Sequence, residues 1–127
     1  EVGSVATDFA HEDYGTTFHK CARYFWRACA DNATGQGVGS NNTTTECYAQ
    51  MEHPARMRVD PTLTISAGNA FNIFSDGASH TSSAVVISVN DQSSTMMKYT
   101  TSGLTSGDAS FIAASGPASR LDLDSEL

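Results

Sequence analysis

From Thr45 onward the chain alternates apolar and polar side chains one by one, in short runs separated by turn residues. That period of two belongs to a strand with one buried face, and an amphipathic helix does not produce it. The stretch Met57-Arg-Val-Asp-Pro-Thr-Leu-Thr-Ile-Ser66 shows the pattern and its punctuation together. Pro61 is tolerated at the first residue of a strand, where the ladder bond it cannot donate is not missed. Its ring also biases Asp60 toward extended geometry. Leu63 and Ile65 then share one face, so the stretch reads as a bend feeding a half-buried strand.

The same style repeats along the chain. Cys47, Ala49 and Met51 alternate with Glu46, Tyr48, Gln50 and Glu52 until His53-Pro54 breaks the run. Phe71 and Ile73 point inward with Phe74 opposite, and an Asp76-Gly77 turn follows. Val85, Ile87 and Val89 share one face of the next strand, and further runs cover 95–100 and 110–115. The final run, 118–127, sets Leu121, Leu123 and Leu127 against Arg120, Asp122, Asp124 and Glu126.

Upstream, Phe18 to Cys29 fits two periods. As a helix, Phe18, Cys21, Ala22, Phe25 and Cys29 form a stripe; as a strand, Tyr24 and Trp26 oppose Arg23 and Arg27. Aromatic enrichment selects the strand. Residues 31–45, with Gly35, Gly37 and Gly39, read as a long surface loop. Residues 1–17 have no clear period and read as an N-terminal arm, leaving 18–127 as a single domain.

Ser and Thr together number 30 of the 127 residues, filling polar places that Lys and Glu occupy in helical proteins. Thr suits strands and Ser suits turns. About eight short strands with turn chemistry between them predict an all-β domain, a two-sheet antiparallel β-sandwich of jelly-roll type.

The net charge is −7, and residues 61–127 hold only Lys98 and Arg120 as cations. Such a chain lacks the basic footprint of a nucleic-acid binder. It also lacks the run of about 18 apolar residues that a membrane helix needs. Cys21, Cys29 and Cys47 are an odd number without metal spacing and read as small buried thiols, with a late-formed pair as the alternative.

No catalytic or cofactor constellation emerges. The G-x-G-x-G of Gly35–Gly39 lacks the strand-then-helix setting and acidic partner of a phosphate cradle. His11, His19, His53 and His80 are scattered, and His11-Glu12-Asp13 is a local polar cluster of the arm. No serine sits in a nucleophile motif. Asp122, Asp124 and Glu126 could offer oxygens to a hard cation, but the favoured reading is a solvated strand face whose charges discourage edge pairing. Tyr24 and Trp26 could make a platform for a sugar ring, though a Trp in a small sandwich more often packs inside. Asn32, Asn41 and Asn42 open glycosylation sequons, which matter only in a secretory pathway. The reading is a non-enzymatic protein without cofactor or metal.

Four segments, in order, carry a family resemblance: His19-Lys-Cys-Ala-Arg-Tyr-Phe25, Ala55-Arg-Met-Arg-Val-Asp-Pro-Thr-Leu-Thr-Ile65, Thr101-Ser-Gly-Leu-Thr-Ser-Gly107 and Leu121-Asp-Leu-Asp-Ser-Glu-Leu127. Over residues 18–127 the chain resembles a C-terminal domain of tailed-bacteriophage virion structural proteins. Those proteins tend to carry R-Y-F, M-R-x-x-P-T, S-G-L-T-x-G and a terminal D-A-E-L. The chain departs from them in its Cys-rich first strand, in His53-Pro54-Ala55, and in Ser125 where Ala is usual. The resemblance implies a tail-fibre, appendage or capsid-surface component of the virion, assembled in the host cytoplasm. It further implies a homo-oligomer, with a trimer favoured, contacts with other virion proteins, and at a fibre tip a host-surface glycan or receptor.

Overall fold

The computed structural model describes residues 12–29, 35–67, 70–116 and 119–126. It begins with a helix, α1 (Tyr14–Ala22), where the sequence predicts arm and then strand. Local capping decides the matter. Asp13 accepts from the Thr16 amide at 3.1 Å, and His19 and Lys20 place basic groups at the last turn, where the helix dipole favours them. The Tyr24 amide then bonds back to the Cys21 carbonyl and ends the helix. The strand therefore starts only at Phe25.

Among the described residues ten strands follow: β1 (Phe25–Cys29), β2 (Gly35–Asn41), β3 (Glu46–Glu52), β4 (Thr62–Ile65), β5 (Phe71–Ser75), β6 (Ala78–Thr81), β7 (Ala84–Asn90), β8 (Ser94–Thr100), β9 (Ala109–Ala114) and β10 (Leu121–Asp124). They form two antiparallel sheets, β1-β10-β4 and β6-β5-β9-β2-β3-β8-β7. The predicted β-sandwich is the fold.

Its order follows from rolling up a long hairpin. The first strand lies beside the last, β2 beside β9, and β4 and β5 flank β10 and β9 on their far sides. That is jelly-roll order, with β3 and β8 inserted so that one sheet grows to seven strands. β2 and β6, which are not among the eight predicted runs, bring the count among the described residues to ten.

The core lies between the sheets. Cys47, Ala49 and Met51 face it from β3 and Thr95, Met97 and Tyr99 from β8, as their alternation requires. Phe71, Ile73 and Ile112 add to this layer, and Phe71 meets Tyr99 edge-on with ring centres 5.8 Å apart. Leu121 and Leu123 close it from the small sheet, joined by half-buried Trp26, Ala28, Leu63 and Ile65. Each fully buried Phe, Leu, Ile or Met contributes about 1.5–3 kcal/mol.

Two further expectations are corrected. Residues 35–41, predicted as loop, form β2 in the middle of the large sheet. A Cβ at Gly39 would sit 2.4 Å from the Tyr48 carbonyl oxygen, so glycine here serves close strand packing. In β7 a bulge between Ile87 and Val89 inserts Ser88, so Val85 is buried but Val89 turns out to solvent. No helix among the described residues is long and apolar enough to cross a membrane.

Candidate functional site

Three of the four segments that carry the resemblance meet at one seam. The Arg58 amide donates to the Arg23 carbonyl at 2.8 Å, and the Ser125 amide donates to the Tyr24 carbonyl at 2.8 Å. The Ser125 hydroxyl also reaches the Arg23 carbonyl at 2.6 Å. Above them the Arg58 guanidinium lies over the Tyr24 ring, 5.7 Å from its centre. The fourth segment folds the β8–β9 loop, where Leu104 is buried and its amide bonds to the Thr44 carbonyl. These residues close the sandwich, and their roles are architectural.

The carboxylates of the last strand do not form a solvated row. Asp122 is buried between β1 and β4, and its side chain is only 10% exposed. Arg27 grips it with two bonds, Nε to Oδ1 at 2.7 Å and Nη2 to Oδ2 at 3.1 Å. Arg120 Nε adds a third contact at 3.0 Å. Asp124 instead accepts from the Glu126 amide. Among the described residues no three His, Cys, Asp or Glu side chains converge as metal ligands.

Tyr24 and Trp26 do not make a shared platform. Trp26 packs on the core and meets His53 edge-on, whereas Tyr24 is exposed beneath Arg58. His53 is held at both ring nitrogens, Nδ1 donating to the Gln92 carbonyl and Nε2 2.9 Å from Thr95 Oγ1. The Thr95 hydroxyl donates to Asn90 Oδ1, and Asn90 in turn donates to the Pro61 carbonyl. Thr95 is fully buried, so this hydroxyl–imidazole pair ties β3, β7 and β8 to the entry of β4 instead of facing a substrate. Beside it, amides of Ser93 and Ser94 hold the Asp91 carboxyl below its usual range, helped by His53 and Arg56. His19 lies on the exposed helix and His11 lies outside the described residues.

Asn41 is 1% exposed and cannot accept a glycan there. Its amide donates to Ser75 Oγ and the Thr105 carbonyl, and its oxygen accepts from Ser110 Oγ at 2.6 Å. Asn42 is exposed, and Asn32 lies outside the described residues. Of the expected buried thiols, Cys47 is buried, and burial pushes its pKa up, whereas Cys21 is exposed on α1; both are free. At the next corner Asp76 and Asp108 share a hydrogen bond. It holds Asp76 below the ordinary carboxylate range, with help from Thr105, and pushes Asp108 above it.

The feature that sequence reasoning missed is the outer face of the large sheet. Phe74 stands opposite Phe111, and Phe111 opposite Val38. Val38 lies one residue beyond the Gly39–Ala49 pair and so beside Gln50, which pairs with Met96, which pairs with Val89. One row of side chains thus crosses six strands, apolar at every place but Gln50. Phe74, Phe111, Val38 and Val89 are 43, 45, 76 and 59% exposed. The signal was present as apolar residues on both faces of β5, β7, β8 and β9. Contiguous exposed apolar rows mark contact surfaces more often than scattered single residues do.

No protein-family model, curated protein or solved structure matches this chain.

Proposed function

We propose that this chain is a non-enzymatic structural protein of a tailed-bacteriophage virion, a capsid-surface or tail-fibre and appendage module. It acts through self-assembly and through contacts with other virion proteins. The observation that carries this reading is the convergence of the motif residues. Arg23, Tyr24 and Arg58, far apart in sequence, meet at the closure of the sandwich, and the terminal motif joins them through the backbone amide of position 125, which a residue other than Ser would also supply. Motifs that specify a rigid frame, with an apolar face left outward, suit a module that is counted in copies on a particle. The test is mass spectrometry of purified particles together with antibody labelling of intact ones. Labelled particles support the reading, and absence of the chain from particles of every candidate host infection removes it.

A second reading, a glycan- or receptor-binding module, draws on the outward Phe74 and Phe111 rings, whose centres lie 6.3 Å apart. Glycan binding that is lost in Phe111→Ser would put it first.

A further inference from the structure

We infer that the outer face of the large sheet is a self-association surface, and that two copies of this chain pair across it about a twofold axis beside Val38. This deepens the self-assembly part of the proposed function and rests on it.

Beside Val38, the most exposed member of the apolar row, lies a shallow groove of about 280 Å³. Gly39, Ser40, Tyr48, Gln50 and Met96 form it with Val38 as one wall. A projecting side chain next to a hollow is the arrangement that a twofold axis satisfies twice. Each copy places Val38 in the other's groove, and the same patch serves both partners.

Charge selects the same occupant. Each chain carries −7, so two copies repel unless they meet where the acids are absent. The apolar row holds no charged side chain. In the next row Lys98 is neutralised by Glu46 at 3.2 Å. On the other side of the row Glu52 is exposed on the same face as Gln50, so the uncharged stretch is the row itself, and an axis beside Val38 lets two copies meet there with their Glu52 carboxylates kept apart.

Area sets the strength. Six strands about 4.8 Å apart and some 20 Å long offer at most roughly 500 Å² per copy. Twist of about 20–25° per strand turns the edges of the row away from a facing copy, so β9, β2, β3 and β8 supply the contact. That is below the roughly 800 Å² per partner of a standard interface. The pair is therefore weak between free chains, and it becomes effective where many copies are tethered on one particle. The same surface favours a pair of isolated chains over the trimer that the resemblance implies.

The test is sedimentation equilibrium of the wild-type chain and of Val38→Lys from micromolar to millimolar concentration, with amide NMR spectra at both ends of the range. Val38 points to solvent, so the substitution leaves the fold intact, and circular dichroism and melting check this. Wild type should rise toward twice the monomer mass, with shifts confined to residues around Val38, Tyr48 and Met96, while Val38→Lys stays monomeric. A wild type that remains monomeric, association that Val38→Lys leaves unchanged, or a mass that settles at three copies would each overturn the pairing. If the monomeric chain instead shifts at Val38 only when another virion protein is added, the face belongs to that partner and the pairing is likewise overturned. Particle labelling is independent of all these results, so the virion reading and the pairing can fail separately.

Discussion

The Ser125 hydroxyl donates to the Arg23 carbonyl oxygen at 2.6 Å, so the end of the chain closes on the turn that opens its first strand. Tyr24 takes part as well, accepting from the Ser125 amide. The sandwich is thus clasped by residues a hundred positions apart, and one small side chain completes the clasp.

Ser125→Ala should lower stability by about 1 kcal/mol, the net worth of one hydrogen bond. The cost stays small because the Arg23 carbonyl keeps the Arg58 amide and the Tyr24 carbonyl keeps the Ser125 amide. In urea the midpoint should fall with an unchanged slope. An unmoved midpoint would mean that the hydroxyl contributes nothing to closure.

Asn41 and Asn42 are neighbours with opposite duties. Asn41→Ala removes three side-chain bonds at once and strands the buried Ser75 hydroxyl. The expected loss is about 3 kcal/mol, given ~1–3 for each buried polar group left unpaired. Asn42→Ala, at an exposed site, should stay within about 0.5 kcal/mol. Equal effects for the two variants would refute the assignment of Asn41 as a core polar hub.

Alternation made the inner faces of β3, β5, β8 and β10 legible, because each has one dry side and the period of two is then imposed. It failed where something other than burial decides. In α1 a cap at Asp13 outweighed the strand preference of the aromatics that follow. In β2, glycines that read as loop are what let the strand lie close to Tyr48. In β7 the inserted Ser88 turned Val89 outward, and single-residue bulges leave no mark in composition. Asp122 was legible as a strand residue but not as buried, since its arginine Arg27 lies 95 positions away. The His53, Thr95 and Asn90 network escaped for the same reason.

The Asp76–Asp108 pair predicts a pH dependence of definite sign. Asp108 has a raised folded pKa, so its contribution is fully present below the unfolded value and is lost as pH rises through the folded one. Asp76 is lowered and behaves in the opposite way, losing its contribution as pH falls. Asp108→Asn supplies a permanent donor to Asp76 without the second charge. Its melting temperature should match wild type near pH 4, about the unperturbed aspartate value, and exceed it at neutral pH. Added salt should shrink that gain, because both groups face solvent. A gain of equal size at both pH values would show that charge is not its source.

Two glycines separate strain from space. Gly77 has φ 73° in the Asp-Gly turn between β5 and β6, with nothing within 4 Å of an added Cβ. Gly77→Ala should therefore cost about 1–2 kcal/mol, the penalty of left-handed backbone alone. At Gly39 the added carbon meets the Tyr48 carbonyl, which cannot move without breaking the β2–β3 ladder. Gly39→Ala should cost about 3 kcal/mol or more, the upper part of the overpacking range. A milder effect at Gly39 than at Gly77 would contradict the strand packing.

Asp122 decides between an ion pair and a cation site on the last strand. Both of its oxygens are occupied by arginine, with Arg27 on both and Arg120 on one. Asp122→Asn keeps the shape but leaves two guanidinium groups together with no anion between them. Since both arginines are nearly half exposed, water screens much of that repulsion, and the expected loss is about 1–2 kcal/mol. Added salt should lessen the loss further, whereas calcium or a chelator should leave the wild-type melting temperature where it is. Should a chelator lower that temperature, and Asp122→Asn abolish the response, the carboxylate would be holding a cation and the arginine clamp would not be its main partner.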